Sequence, residues 1–235
     1  MPFVLLGSGL LWFGWFGFNA GSALSAGPIA GLAFVTTMMA PAATLVAWTA
    51  LDMMRSGKPT AVGAATAIVV GLVAVTPAAG FISPMSAIAL GAIAAVPSYF
   101  ALLLRAKTSL DDSLDVVAAH GVGGTVGALL TGVFAERALN GVADGALFGN
   151  PGQLAIQGTA VLASIIYSAG MSFVLLKLVG LVLPLRVSAS EEAMGMDITG
   201  HGEEAYMNVG DATPAFEPAA DAAGKPVFTP VRAEV

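Results

Sequence analysis

The sequence contains no cysteine and only two histidines, and charged residues make up just 10% of it. The first absence excludes disulfide frameworks, thiolate metal sites and cysteine nucleophiles. The scarcity of charge excludes a water-covered soluble domain, in which about a quarter of the residues are ordinarily charged. Nothing is basic enough to bind nucleic acid: nine Lys and Arg stand against fifteen acids, and nine of those acids lie between Glu191 and Glu234. The net charge of −6 therefore belongs to a tail, not to a surface patch. No P-loop, GxSxG, HExxH or potassium-filter TVGYG occurs, and the single Asn150-Pro151 lacks the second copy that an aquaporin-type signature needs. With no catalytic motif, the chain is read as a non-enzyme without a cofactor. The opening Met-Pro-Phe lacks a cationic n-region, so the first apolar run is expected to stay in the product and not to act as a cleaved signal.

What is abundant is apolar: 57% of residues are hydrophobic and the mean hydropathy is +0.85. A hydrocarbon core of about 30 Å takes about 20 helical residues to cross. Breaks at Gly, Pro and charge leave six runs of that order, approximately 2–24, 28–51, 60–82, 84–104, 113–135 and 153–184. Helices are expected in each, because lipid offers no partner to an open sheet edge. The fold class is thus an all-α membrane protein with about six transmembrane helices over 1–187, followed by an acidic tail over 188–235. The stretch from Gly210 on has the composition of disorder. The sixth run is longer than a bilayer requires and should tilt or project.

Charge sets the orientation. Arg55 and Lys58 occupy the second break, Arg105 and Lys107 the fourth, and Arg186 follows the sixth run, while the first and third breaks carry no charge. The positive-inside rule then places both termini in the cytoplasm and the 136–153 connection outside.

Few residues in this apolar background can carry chemistry. His120 lies about eight residues, or about 12 Å, into the fifth run, and an ionisable group at that depth is a functional candidate. Helical spacing puts Val116 and Gly124 on its face, with Gly123 and Gly127 beside it, so His120 should face protein or pore. The alternative is a core histidine bonded to a neighbouring carbonyl. Asp111, Asp112 and Asp115 stand where carboxylates cap a helix start; a cation exit site is the second possibility. Gly17 with Gly21, and Gly123 with Gly127, have helix-packing spacing. The first run concentrates Trp12, Phe13, Trp15, Phe16 and Phe18 ahead of Asn19 and Ser22. These aromatics suit either an interfacial belt or cation–π attraction to a small cation. His201-Gly202-Glu203-Glu204 has too few neighbouring ligands for a metal site and reads as solvated tail.

Several segments together resemble the ammonium transporter (Amt/Mep/Rh) family: Trp15-Phe16-Gly17-Phe18-Asn19-Ala20-Gly21-Ser22, Gly57-Lys58-Pro59, Val75-Thr76-Pro77-Ala78 within Gly71–Gly80, Asp115 through His120-Gly121-Val122, Leu185-Arg186-Val187 and His201-Gly202-Glu203. The likeness runs in order from about residue 5 to 208. It implies a fold of eleven helices, two five-helix inverted repeats and a long final helix, assembled as a homotrimer with one pore per subunit in the cell (inner) membrane. This chain resembles the second repeat, the final helix and the cytoplasmic tail. The resemblance implies that Ser22 belongs to an outer ammonium recruitment site and Phe18 to a phenyl gate beneath it. Trp15 and Leu11 would line the pore, Val69 and Val116 form its apolar wall, and His120 be the second of two pore histidines. The family's first pore histidine, its aspartate near recruitment and its outer aromatic partners belong to a first repeat outside this chain. Implied partners are ammonium or methylammonium, the lipid bilayer and, at the cytoplasmic tail, trimeric P-II signalling proteins. The expected function is ammonium or ammonia transport through a hydrophobic pore with a histidine proton relay, by a chain incomplete on its own. The alternative is a non-transporting regulatory subunit that presents its tail to P-II proteins.

Overall fold

Proline opens three of the long helices. Pro2, Pro28 and Pro84 sit in the first turn of α1 (Pro2–Gly21), α2 (Pro28–Ser56) and α4 (Pro84–Arg105), where a missing N–H costs no hydrogen bond. Thr60 caps α3 (Ala61–Val75) through Gly63 N, and Ser83 caps α4 through Ser86 N. Gly57, at φ +74°, takes the left-handed position that ends α2. A π turn (Val117–Val122) leads into α5 (Gly123–Phe134). The short α6 (Arg137–Asn140), a 3₁₀ turn (Ala146–Phe148) and α7 (Gly152–Val179) follow, then α8 (Ala189–Met194) and α9 (Met196–His201). The computed structural model describes residues 1–204, so the tail from Gly210 on lies outside the described residues. Every regular element among the described residues is helical.

Five of these elements are long and apolar enough to cross a membrane: α1, α2, α4, the π turn continued by α5, and α7. Many of their outward residues are large and apolar, Phe3, Phe13 and Val46 among them, each more than two-thirds exposed. Water cannot serve that surface and lipid can.

Four boundaries differ by four residues or more from those expected. Helix α2 continues to Ser56, past 51, because no break precedes Gly57. The third run is helical only to Val75, where Pro77 has no N–H to continue the ladder and tight turns carry the chain to Phe81. The fifth begins at about Val117 and not at 113, because Asp115 adopts a left-handed φ of +54°. The last long helix stops at Val179, five residues before Pro184.

The chain forms two compact units, Met1–Ser172 and Phe173–Val235. In the first, α2 packs on α3 and α4, and α3 carries both α1 and α5. The helix crossings use glycine. A Cβ on Gly71 would strike Pro41 of α2, one on Gly91 the Ala40 carbonyl, and one on Gly127 the Ala74 carbonyl. Nothing lies within 4 Å of a Cβ on Gly17 or Gly21, so that pair has no packing role among the described residues. Pro41 interrupts α2 and releases the Thr37 carbonyl four residues back; the Trp12 indole of α1 donates to it at 3.3 Å. In the second unit, Ser188 and Glu191 form a capping box at the start of α8, and the Ser188 hydroxyl and amide hold the Glu191 carboxyl below the usual range.

Candidate functional site

The fifth span supplies the one ionisable side chain with a place in the pore reading, and its local backbone is unusual. Asp112 accepts bonds from the amides of Val116 and Val117, each at 2.9 Å, so a single carboxylate closes the exposed start of the segment. The Val117 amide first, and the Val116 amide second, hold the Asp112 carboxyl below the ordinary carboxylate range. Asp115 does not cap: it pairs with Arg105, whose Nε lies 2.9 Å from Oδ1, and ties the loop back to the end of α4. Neither arrangement leaves a group of acids poised for a cation. Among the described residues no cluster of three or more His, Cys, Asp or Glu could hold a metal.

His120 sits inside the π turn, a widened geometry that occurs mostly as single turns and often at functional positions. Ala118 and Ala119, the two residues before it, are buried while His120 is exposed. The ring lines an open groove of about 470 Å³ together with Gly121, Gly124, Thr125 and Ala128, and with Ala160, Val161, Ser164, Ile165 and Ser168 of α7. Val116 does not line it. Simple helical spacing put Val116 on the face of His120, but the extra residue in the π turn breaks that register on the N-terminal side, while the α spacing to Gly124 holds on the other. A separate concavity of about 420 Å³, lined only by apolar side chains of α2 and α4 such as Met39, Val46 and Ile88, offers nothing to a polar solute.

On α1, Leu11, Trp15, Phe18 and Ser22 fall at i, i+4, i+7 and i+11, one stripe of the helix. Leu11, Phe18 and Ser22 are exposed and Trp15 is half-buried. Trp15 and Phe18 meet edge to face at 5.6 Å between centroids. Trp15 donates its indole N–H to Thr76 Oγ1 at 2.9 Å, and Ser22 donates to the Phe18 carbonyl at 2.7 Å. Asn19, on the other side, is buried and donates to Thr37 Oγ1. The stripe is therefore anchored to α3 through Trp15 and left open along the rest of its length.

Helix α3 joins the two halves of this arrangement. Thr76, just past its end, receives Trp15, while a Cβ on Gly124 would touch Val73 at 3.5 Å. Val69 is half-buried against the cluster of Trp48, Val70, Tyr99 and Ala119. The structure thus mounts the α1 stripe and the His120 segment on the same helix, with Leu11, Phe18 and Val116 exposed among the described residues.

Among the buried polar groups that sequence reasoning passed over are Asp52 and Ser98. Asp52 of α2 accepts from Tyr99 at 3.1 Å and from the Thr60 hydroxyl at 3.0 Å, which fastens the α2–α3 connection to α4. Its signal was a carboxylate four residues after Trp48 within a helical run. Ser98 of α4 is wholly buried, and nothing in the linear pattern marked it.

The comparisons with known proteins converge. A family model described as Ammonium Transporter Family matches residues 1–206. The chain is 49% identical over 207 residues to an ammonium transporter of Aquifex aeolicus, a match covering 88% of this chain and 48% of that protein. It is 41% identical over 208 residues to an ammonium transporter of Bacillus subtilis, with 88% and 52% covered. Its fold is similar to that of Saccharomyces cerevisiae Mep2 in the crystal, with TM-score 0.73, 34% identity, 79% of this chain and 43% of that one. A structure titled Sensor Amt Protein matches with TM-score 0.74 at 31% identity, covering 83% and 48%. The chain spans about half the length of the curated relatives it matches.

Proposed function

Because this chain belongs to the ammonium transporter family, we propose that it forms one wall of a pore that moves ammonium or ammonia across a membrane and that His120 handles the proton. The observation that carries this reading is the placement of His120 on a widened turn, exposed to a groove within an otherwise apolar span. A bare cation pays heavily to enter an apolar passage, whereas ammonium can give up a proton and cross as a neutral molecule. An imidazole can take that proton on one nitrogen and give one from the other. Phe18 and Trp15 would hold the incoming cation by their ring faces, Ser22 would accept its N–H, and Leu11, Val69 and Val116 would keep water out below.

The chain corresponds in this proposal to the second repeat and final helix of the family fold, and the exposed stripe of α1 is covered by helices of a first repeat. Three such assemblies form the trimer in the cell membrane. Uptake of labelled methylammonium is the test, in cells without other ammonium transporters. Saturable accumulation is expected when the chain is assembled with a first-repeat fragment, and its failure in a properly inserted assembly would remove the transport reading.

The likeness to a structure titled as a sensor supports a second reading. Here the acidic segment after Val187 is a docking element for a P-II protein, and the chain signals without transporting. Binding of P-II without any uptake would select it.

Orientation is part of the proposal. Arg55, Lys58, Arg105, Lys107 and Arg186 place the α2–α3 and α4–α5 connections and both termini in the cytoplasm. Single cysteines are clean probes in a chain that has none. A cysteine at Ala26, which is exposed, should react with an impermeant reagent in intact cells and one at Ser56 should not; the reverse pattern defeats the orientation.

A further inference from the structure

Hydroxyls inside apolar helices usually bond a carbonyl one turn back. Thr36, Thr37, Thr44 and Thr131 are all buried and all do so, reaching Leu32, Ala33, Ala40 and Gly127. Ser98 is equally buried, at 0% exposure, yet its Oγ has no hydrogen-bond partner among the described residues. A buried hydroxyl left unpaired is costly, and its own helix offers a remedy that it does not take. Something across the interface must account for its direction.

What lies there is the exit of the π turn. A Cβ built on Gly123 would be 3.5 Å from Ser98 Oγ and 3.7 Å from the Val70 carbonyl oxygen, and Gly123 follows His120 by three residues. Helix α4 packs against the turn itself as well as against α5. A π turn holds one residue more than an α turn, so a carbonyl within it loses its usual amide. An unpaired donor thus lies beside the exit of a turn whose geometry leaves a carbonyl without its α-helical amide, on the segment that carries His120.

We propose that Ser98 is a positioning residue for His120: its hydroxyl serves, through one buried water, a backbone carbonyl released by the π turn, and so holds Val117–Val122 at the rotation that presents the imidazole. Relaxation of the segment to α geometry would turn His120 by about 100° around the helix axis, the angle of one residue. The hydroxyl makes the widened turn the satisfied state, and the imidazole keeps its place at the groove. This inference rests on the reading of His120 as the proton-handling group, but its test reads the backbone.

Hydrogen–deuterium exchange by mass spectrometry on the full chain in detergent micelles compares wild type, Ser98→Ala and Ser98→Cys. Ser98→Ala should speed exchange of the amides of 117–123 about tenfold, the loss of roughly one hydrogen bond, and leave α1 and α2 unchanged. Ser98→Cys keeps a weak donor in the same place and should fall between the two. Unchanged exchange at 117–123 in Ser98→Ala, or an equal rise in every helix, overturns the proposal. Ammonium uptake is measured in parallel: a transport failure with the local exchange effect intact counts against the pore reading and not against the role of Ser98.

Discussion

Replacing Gly127 by alanine is expected to destabilise the bundle by at least about 2 kcal/mol, the scale of overpacking against groups that cannot move aside. The added methyl would fall onto the carbonyl oxygen, carbonyl carbon and Cα of Ala74, all backbone, in the last turn of α3. Ala74 is fully buried between α2, α4 and α5, so the strand of chain it belongs to has nowhere to go. The control is Gly17→Ala. Nothing lies within 4 Å of a Cβ there, and alanine favours a helix over glycine by about 1 kcal/mol. Thermal inactivation followed by fluorescence-detected size exclusion should show Gly127→Ala losing its monodisperse peak well below wild type and Gly17→Ala no earlier than wild type. Equal stability of wild type and Gly127→Ala would mean that α3 and α5 do not cross as closely as described.

That contrast shows what the linear pattern could and could not convey. Both glycine pairs have the same spacing, and only the crossing partner separates them: Gly127 meets α3, while Gly17 and Gly21 meet nothing in the described residues. Gly91 contacts the Ala40 carbonyl as closely as Gly127 does Ala74, yet it has no glycine four residues away to draw attention. The apolar runs were legible because lipid leaves helices as the sole way for one segment to satisfy its own backbone. Helix ends were less so, since they turn on single events such as Pro77 and the left-handed Asp115. His120 stood out in sequence as an ionisable side chain in an apolar run. The π turn did not, because its residues Val117-Ala118-Ala119-His120-Gly121-Val122 carry no signature distinct from an α-helix. Asp52 and Ser98 were harder to read for a further reason: their meaning lies in elements distant in sequence, Tyr99 and the α3 cap Thr60 for the first and the surroundings of Gly123 for the second.

In the assembled pore, His120→Ala is expected to lower the ammonium current on the order of a hundredfold, the lower range of what a positioned proton-transfer group contributes. The substitution leaves the backbone on which it acts in place. Ala118 and Ala119 hold the turn to its neighbours, Asp112 caps it from outside, and the imidazole itself projects into open space. Insertion and thermal stability should therefore match wild type, which separates loss of chemistry from loss of fold. His120→Glu restores a group able to accept and release a proton and should recover part of the current with altered selectivity. Removal of the ring also widens an apolar passage, and a leak of potassium in His120→Ala would follow from it. Electrophysiology with ammonium and potassium in turn measures both effects. An undiminished ammonium current with potassium still excluded would make His120 a packed helix residue, and the proton would have to travel by a route that avoids the π turn.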